Sequence, residues 1–279
     1  MIALELDHVS RDFTTPDGRG YRALDDISLS IPAGSFIAIV GPSGCGKSTL
    51  LNIAAGLLTP SAGEVRVDGE PLTGLNRRAT YMFQQDALLP WKTVRENVAL
   101  GLTLGGTAKP DAHARADAWL ERVGLAPFAA HYPSQLSGGM RKRVVMAQNW
   151  IIDRGVLLMD EPFSALDVHT RQRMESELLE LWEKTGESAE IAKKRVANKT
   201  FVFVTHDLEE AIALADEVVV LSAGPAARIV AQHAVTLDRP RHLMELRTAP
   251  EFVELYRTIW AVLREEVIRS QRAVERGRA

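Results

Sequence analysis

The segment Gly41–Ser48 reads Gly-Pro-Ser-Gly-Cys-Gly-Lys-Ser, which is the composition of a loop that binds phosphate. Glycines let successive backbone N–H groups point at phosphate oxygens, and a following helix adds the positive end of its dipole. Lys47 would reach the β- and γ-phosphates, and the Ser48 hydroxyl would bind Mg²⁺. The sequence therefore predicts a nucleotide triphosphate site. Its binding residues are Gly41, Pro42, Ser43, Gly44, Cys45, Gly46, Lys47, Ser48 and Thr49.

Two adjacent carboxylates follow an apolar run later in the chain. Asp160 and Glu161 come directly after Val156–Met159. Because open α/β sheets bind ligands at strand ends, Asp160 would hold Mg²⁺, and Glu161 would polarise the attacking water toward the γ-phosphate. Adjacent acids after a strand also begin ordinary loops, but a phosphate loop in the same chain favours the functional interpretation.

The elements that must position these residues can be predicted from hydrophobic patterns. Phe36–Val40 is a continuous apolar run, typical of a strand buried on both faces, and Lys47–Leu57 predicts a helix. Other predicted strands lie near residues 2–6, 27–31, 64–67, 81–83, 156–159, 200–205 and 218–222. Other predicted helices lie at 137–153, 169–184, 208–214 and 250–272. This alternation indicates an α/β fold with a mainly parallel sheet and helices on both faces.

Turn and break residues divide this pattern. Asp17 and Gly18 predict a turn between the first two strands, and the stretch from about 86 to 155 is mostly helical. Within that stretch we expect breaks near Gly105, Pro110 and Pro133.

Composition narrows the functional classes. The 279 residues carry a net charge of -3 and are 46% hydrophobic and 25% charged, as in an ordinary globular protein. No dense basic block indicates a nucleic-acid partner. Cys45 is the only cysteine, which excludes an internal disulfide and fits a reducing compartment. The N-terminus lacks the pattern of a secretion signal, and no apolar run is long enough to span a bilayer.

Five further motifs occur in a defined order. Leu136–Arg143, which reads Leu-Ser-Gly-Gly-Met-Arg-Lys-Arg, resembles the signature motif of ATP-binding cassette (ABC) proteins. Phe13 matches the aromatic residue that stacks on adenine, and Gln84 matches the glutamine loop. Ser164–Asp167 matches the loop after the carboxylates, and His206 matches the switch histidine. The chain thus resembles this family over roughly residues 2–237.

The resemblance implies an ABC-type P-loop NTPase core at 1–237, with a mainly parallel sheet. It also implies an antiparallel β subdomain and a helical subdomain inserted at about 86–155. Residues 238–279 would form a C-terminal helical extension.

The resemblance also assigns roles. Ser137, Gly138 and Gly139 would complete the γ-phosphate pocket of a second protomer, so that two ATP molecules lie in a head-to-tail dimer. The implied catalytic residues are Lys47, Gln84, Glu161 and His206, and the implied Mg²⁺ ligands are Ser48, Gln84 and Asp160. His206 would contact the γ-phosphate, although lone histidines are often core residues, and Phe13 could equally be a core aromatic.

Further short motifs resemble nitrate, sulfonate and taurine importers. These are Leu88–Trp91, Met140-Arg141 (the usual signature has glutamine for Met140) and Phe252–Val267. The implied partners are a homodimer or pseudo-dimer, an integral membrane permease docking near Gln84–Trp91, and indirectly an external solute-binding protein. The implied location is peripheral, at the cytoplasmic face of the bacterial inner membrane. The apolar run Leu88–Trp91 could also be core.

Two segments carry separate expectations. Cys45 near a helix N-terminus predicts a lowered thiol pKa and alkylation that blocks ATPase activity, unless the thiol is simply a space-filling side chain. Residues 184–199 exceed the usual helix-to-strand connection and predict a solvated helix or loop.

The sequence therefore favours the ATPase subunit of an importer for a small anion. The alternatives are the ATPase of an exporter or lipid transporter, a soluble ABC protein without a transport role, and a nucleotide-binding module without turnover. Glu161 and His206 argue against the last. The soluble ABC proteins carry coiled coils or tandem cassettes, which this chain lacks.

Overall fold

The computed structural model describes residues 1–15, 18–164, 166–187 and 199–278. Within these ranges, ten strands form two sheets, and eight α-helices surround them. The strands are β1 Ile2–Thr14, β2 Gly20–Pro32, β3 Phe36–Val40, β4 Ala62–Val67, β5 Glu70–Pro71, β6 Ala79–Met82, β7 Val156–Asp160, β8 Thr200–Thr205, β9 Glu217–Leu221 and β10 Ile229–Ala234. The helices are α1 Lys47–Ala54, α2 Val94–Leu104, α3 Lys109–Arg122, α4 Gly138–Trp150, α5 Val168–Glu187, α6 Leu208–Leu214, α7 Leu243–Leu246 and α8 Pro250–Arg278.

The larger sheet has the strand order β10-β9-β3-β8-β7-β6. Every pair in it is parallel except β10 with β9, so the predicted mainly parallel sheet is confirmed. Strands β3, β7 and β8 are buried at every residue, which explains why their sequences, apart from Asp160 at the end of β7 and the terminal threonines of β8, are apolar rather than alternating. Strand β10 was not predicted, because this half-exposed edge strand has no continuous apolar run.

The smaller sheet is antiparallel, in the order β2-β1-β4-β5. Its inner face contributes Leu4, Leu24 and Ile27 to a core that also contains Ile39 of β3 and Leu50 of α1. The antiparallel sheet therefore lies over one face of the larger sheet, with α1 in the same layer. The predicted turn at Asp17 lies outside the described residues.

Helices α2, α3 and α4 come between β6 and β7 and share a separate core that includes Val98, Leu120 and Val144. The predicted break near Gly105 and Pro110 is confirmed, because α2 ends at Leu104 and α3 begins at Lys109, with Pro110 in its first turn. The first turn of a helix leaves its N–H groups unpaired, so proline costs nothing there.

The opposite face of the larger sheet is covered by α5, α6 and α8. Helix α8 buries Phe252, Ile259 and Leu263, which have helical spacing, in this core. The division of the chain at residue 237 stays a prediction. No helix of the described residues is both long and apolar enough to cross a membrane.

Residues 188–198 of the predicted solvated segment lie outside the described part of the chain. Its last residue, Lys199, does not fit the prediction, because it is buried and its Nζ donates to the backbone carbonyls of Trp150 and Ile152. These carbonyls lie at the C-terminal end of helix α4. A positive charge there is attracted to the negative end of the helix dipole and stabilises the helix. Lys199 is therefore part of the folded core and not of a solvated loop.

Candidate functional site

The loop between β3 and α1 has the backbone conformation that its glycines allow. Gly44 has φ of 77° and Gly46 has φ of 104°, both in the left-handed region. Lys47 is buried, and its Nζ donates to the carbonyls of Gly41 and Pro42 at 2.8 and 3.1 Å. The loop therefore folds around its own ammonium group.

A cavity of 260 Å³ opens beside this loop. Its lining residues are Phe13, Tyr21, Ala23, Ser43, Gly44, Gly46, Lys47, Ser48, Thr49 and Glu161. The structure thus places Phe13 in one cavity with the predicted phosphate loop. The guanidinium carbon of Arg11 lies 4.7 Å from the centre of the Phe13 ring. The arrangement fits a nucleotide with its phosphates on the loop and its base at the aromatic end.

Sequence reasoning missed Tyr21, which faces Phe13 in the register of β1 and β2 and lines the same cavity. Its position opposite Phe13 across the predicted hairpin could have indicated it. Hairpin register depends on bulges, however, and β1 and β2 contain several register shifts.

Asp160 ends strand β7 and faces the start of α1. The Ser48 hydroxyl donates to its Oδ1 at 3.0 Å, and the Tyr81 hydroxyl lies within 3.4 Å of its Oδ2. Burial raises the pKa of Asp160 above its ordinary value, although both hydroxyls oppose this shift. Burial and the neighbouring Asp160 charge also raise the pKa of Tyr81. Tyr81 was not predicted, since only the pairing of β6 with β7 brings it to the carboxylate.

The oxygens of Ser48 and Asp160 suit a hard cation such as Mg²⁺, which usually takes one or two protein oxygens and completes its shell with phosphates and water. The described residues contain no group of three or more acidic, histidine or cysteine side chains that could hold a metal on its own.

Glu161 joins two of the predicted residues. Gln84 Nε2 donates to Glu161 Oε2 at 3.0 Å, and His206 Nδ1 lies 3.4 Å from Glu161 Oε1. The three residues follow β6, β7 and β8, which are adjacent and parallel. Their carboxyl ends meet at one edge of the sheet, so the three side chains converge. Glu161 has φ of 43°, an uncommon conformation of the kind found at functional sites.

The residues around His206 hold its loop in place. Asp207 caps helix α6 by accepting from the backbone N–H groups of Glu209 and Glu210, and it pairs with Arg171 of α5. The Asp207 carboxylate therefore fixes the position of the loop that carries His206. His206 itself is exposed, which excludes a buried core histidine.

Ser137, Gly138 and Gly139 lie at the start of α4, and none of them lines the cavity at the phosphate loop. Ser137 caps the helix by accepting from the backbone N–H of Met140 at 3.3 Å. Gly138 borders a second cavity of 380 Å³ beside Gln84, Lys142 and Ser164. One copy of the chain therefore does not bring the signature motif to its own phosphate loop.

The structure contradicts the predicted lowering of the Cys45 thiol pKa, and the predicted loss of ATPase activity on alkylation stays a prediction. The residue is 1% exposed and packs with the core beneath the loop, and burial raises the pKa of its thiol. Lys47 and two backbone hydrogen bonds lower it by less. The thiol is absent from the lining of the 260 Å³ cavity. The structure thus favours the space-filling alternative.

The segment Gln84–Trp91 is fixed to helix α2 by hydrogen bonds from a buried asparagine. Asn97 is fully buried, and its side chain exchanges hydrogen bonds with both backbone groups of Leu89. Leu88 packs against the core, whereas Trp91 is 71% exposed. The apolar run is therefore partly core and partly surface.

Phosphate loop, strand-end carboxylates and converging side chains define the class of P-loop nucleotide hydrolases. The family described as "ABC transporter" matches residues 24–164. An uncharacterized ABC transporter ATP-binding protein of Methanocaldococcus jannaschii is 40% identical over 96% of this chain and 94% of its own length. The taurine import ATP-binding protein TauB of Roseobacter denitrificans is 39% identical over 96% of this chain and 97% of its own length.

Solved structures agree. A dimeric post-hydrolysis state of an ATP-binding cassette, bound to ADP and Pi, has a TM-score of 0.70 and 31% identity over 84% of this chain and all of its own. The chain therefore belongs to the ABC transporter family. It has the ABC-type P-loop fold and is an ATP-binding, ATP-hydrolysing subunit.

Proposed function

We propose that this chain is the ATPase subunit of a bacterial importer for a small anionic solute such as taurine, another sulfonate or nitrate. The contact of Glu161 with both Gln84 and His206, at the edge where the phosphate loop lies, carries the hydrolytic part of this proposal. The similarity to a taurine import protein along nearly the whole chain supports the transport part.

In the proposed site, the backbone N–H groups of Ser43–Gly46 and the Lys47 ammonium bind the phosphates. The adenine stacks on Phe13. Lys47 would exchange its bonds to the Gly41 and Pro42 carbonyls for bonds to phosphate oxygens. Ser48 and Asp160 would hold a Mg²⁺ ion, which when bound neutralises developing charge on the phosphates.

Glu161 is the proposed general base. A water in line with the γ-phosphorus would give a proton to the Glu161 carboxylate as its oxygen attacks, and ADP would leave. His206 would donate a hydrogen bond to the γ-phosphate, and Gln84 would orient the same water and contribute to the Mg²⁺ site. The hydrogen bond from Gln84 Nε2 to Glu161 Oε2 supports the role beside the water.

The proposed active unit is a head-to-tail dimer. Because Ser137–Gly139 do not reach the cavity of their own chain, we assign them to the γ-phosphate of the partner. The dimeric state of the similar ATP-binding cassette supports this arrangement. Exposed Trp91 and the adjoining surface up to Gln84 would dock a membrane permease, which places the chain peripherally at the cytoplasmic face of the inner membrane. An external solute-binding protein would act through that permease.

Glu161→Gln tests the hydrolytic assignment. We expect the variant to bind ATP, to form a dimer in size-exclusion chromatography with ATP, and to lose at least about 100-fold in kcat, because a general base contributes roughly 10²–10⁴-fold. Glu254→Gln, the same substitution at an exposed position of α8, should behave as wild type. Normal hydrolysis by Glu161→Gln would show that the general base is assigned wrongly.

Growth assays test the transport assignment. A strain that lacks the gene should fail to grow on taurine, an alkanesulfonate or nitrate as the sole sulfur or nitrogen source. The wild-type gene should restore growth, and Glu161→Gln should not. Undiminished growth of the deletion strain on all three would refute the proposed import.

A further inference from the structure

A buried carboxylate in the C-terminal helix has no part in the proposed reaction. Glu266 of α8 is 4% exposed, its Oε2 accepts from the backbone N–H of Ala223 at 2.8 Å, and its Oε1 accepts from Arg269 at 2.7 Å. A buried carboxylate needs such partners, because an unpaired charge in the interior is costly. Helix α8 therefore contacts the loop 222–228, which follows β9.

The loop 222–228 touches the phosphate loop directly. Strand β9 lies beside β3 in parallel register, so both end at the same edge. A Cβ added to Gly224 would lie 3.3 Å from the Gly44 carbonyl oxygen and 3.5 Å from Cys45 Cα. Just before the loop, the Leu221 carbonyl oxygen would lie 3.1 Å from a Cβ on Gly41. The two loops therefore pack with little free space between their backbones.

The same loop also holds the strand that carries the aromatic end of the cavity. The backbone N–H groups of Ala226 and Ala227 donate to the carbonyls of Arg22 and Ala23 at 2.7 and 3.1 Å. Tyr21 and Ala23 line the 260 Å³ cavity. A displacement of residues 222–228 would thus act on both ends of the cavity.

We infer that Glu266 is a positioning residue for the nucleotide: through its bond to Ala223 it fixes the loop 222–228, and that loop fixes the phosphate loop and β2. The bond is a charge-assisted one in a buried place, which is stronger than a neutral hydrogen bond. Without it the Ala223 N–H loses its partner, and the loop has to move to find another. This inference rests on the proposed placement of the nucleotide in the 260 Å³ cavity.

Nucleotide binding to the full-length chain tests the inference. We expect Glu266→Ala to raise the Kd for ATP about tenfold, the size of one charge-assisted hydrogen bond, and to change kcat at saturating ATP by less than about twofold. Glu266→Gln keeps an acceptor oxygen and should recover most of the affinity. Glu265→Ala, at the exposed neighbouring position of α8, removes the same charge and should bind as wild type.

A purely structural role of Glu266 predicts a different result. The melting temperature of Glu266→Ala would fall, and the Kd of the folded protein would equal that of Glu265→Ala, which would overturn the inference. If Glu266→Ala fails to fold, Gly224→Ala provides a second test, because Gly224 is where the loop 222–228 meets the phosphate loop. Its methyl would press on the Gly44 carbonyl, so an unchanged Kd would equally refute the inference.

Lys47→Ala separates this inference from the proposed site. If Lys47→Ala leaves the Kd for ATP unchanged, the placement of the nucleotide itself is wrong. If Lys47→Ala abolishes binding while Glu266→Ala does not alter it, the site stands and only the role of Glu266 falls.

Discussion

The ammonium group of Lys142 donates a hydrogen bond to the backbone carbonyl of Gln84 at 3.1 Å. Lys142 belongs to the signature motif and lies in the first turns of α4, and its side chain is 3% exposed. Asp86 accepts from Arg141 at 3.3 Å and lies 3.6 Å from Lys142. The signature helix therefore holds the loop that carries Gln84, and Gln84 in turn contacts Glu161.

This relationship predicts that Lys142→Met slows hydrolysis without unfolding the chain. The methionine keeps most of the volume, but the Gln84 carbonyl loses its donor, so the loop is held less firmly at Glu161. Burial lowers the pKa of Lys142, which shows that the buried ammonium carries a desolvation cost. Methionine removes that cost, and this offsets part of the stability lost with the hydrogen bond. We expect kcat to fall about 3–10-fold and the free energy of unfolding to change by less than about 2 kcal/mol.

Lys199→Met is the matched control for this prediction. Lys199 is also a buried lysine whose ammonium donates to backbone carbonyls, but its partners, Trp150 and Ile152, lie at the C-terminal end of α4. The Lys199→Met substitution should lower the free energy of unfolding and leave kcat near the wild-type value. Equal losses of kcat in both variants, measured by phosphate release, would contradict a specific role for Lys142.

Tyr81→Phe should weaken the response of the ATPase to Mg²⁺. The variant removes one of the two hydroxyls near Asp160 and leaves only that of Ser48. The carboxylate then has one fewer partner to fix its orientation, and we expect the Mg²⁺ concentration at half-maximal activity to rise about 3–10-fold. Tyr132→Phe, on an exposed tyrosine, should have no effect. An unchanged Mg²⁺ titration in Tyr81→Phe would show that the Tyr81–Asp160 contact does not matter.

Cys45 should react slowly with thiol reagents in the native protein. Reaction requires the thiolate and access to it, and burial limits both. Labelling with a disulfide reagent at pH 8 should be at least about 100-fold slower than after unfolding in urea. Rapid stoichiometric labelling of the folded chain, prevented by ATP, would instead restore the interpretation of Cys45 as a reactive thiol of the loop.

Glu210 should make the stability of the protein depend on pH. Burial, with smaller contributions from nearby Glu175 and Asp207, raises the pKa of its carboxyl from the ordinary 4.5 to about 8. Thr205 hydrogen-bonds one carboxyl oxygen, and the other has no hydrogen-bond partner among the described residues. The folded state therefore holds a proton that the unfolded chain releases.

Because the pKa of Glu210 is higher in the folded than in the unfolded state, folding stability decreases as the pH rises. The stabilising effect of the proton is complete below pH 4.5 and is lost as the pH rises through about 8. Urea unfolding between pH 5 and 8 should show the wild type losing up to about 1 kcal/mol per pH unit relative to Glu210→Gln. Glu209→Gln, at the exposed neighbour, should keep the wild-type slope. Parallel pH profiles of wild type and Glu210→Gln would refute a protonated Glu210.

Sequence patterns were most informative where burial is uniform. Strands β3, β7 and β8 were found near their observed bounds, since the interior of a strand covered on both faces is mostly apolar. Half-exposed β10 and two-residue β5 carry too weak a pattern to be found. The break near Gly105 and Pro110 was found because glycine caps the end of α2 and proline suits the first turn of α3.

The sequence by itself determined the kinds of side chain available and their order: a phosphate loop, an amide, a helix-capping serine, two carboxylates and a histidine. It did not determine which of them meet. Glu161 contacts Gln84 and His206 only because β6, β7 and β8 are neighbours in the sheet, and pairing between distant segments depends on the whole fold. Tertiary burial likewise raised the pKa of Cys45, against the local effect of a helix N-terminus. The local sequence thus determined which functional groups are present, and long-range packing determined their distances and their pKa values.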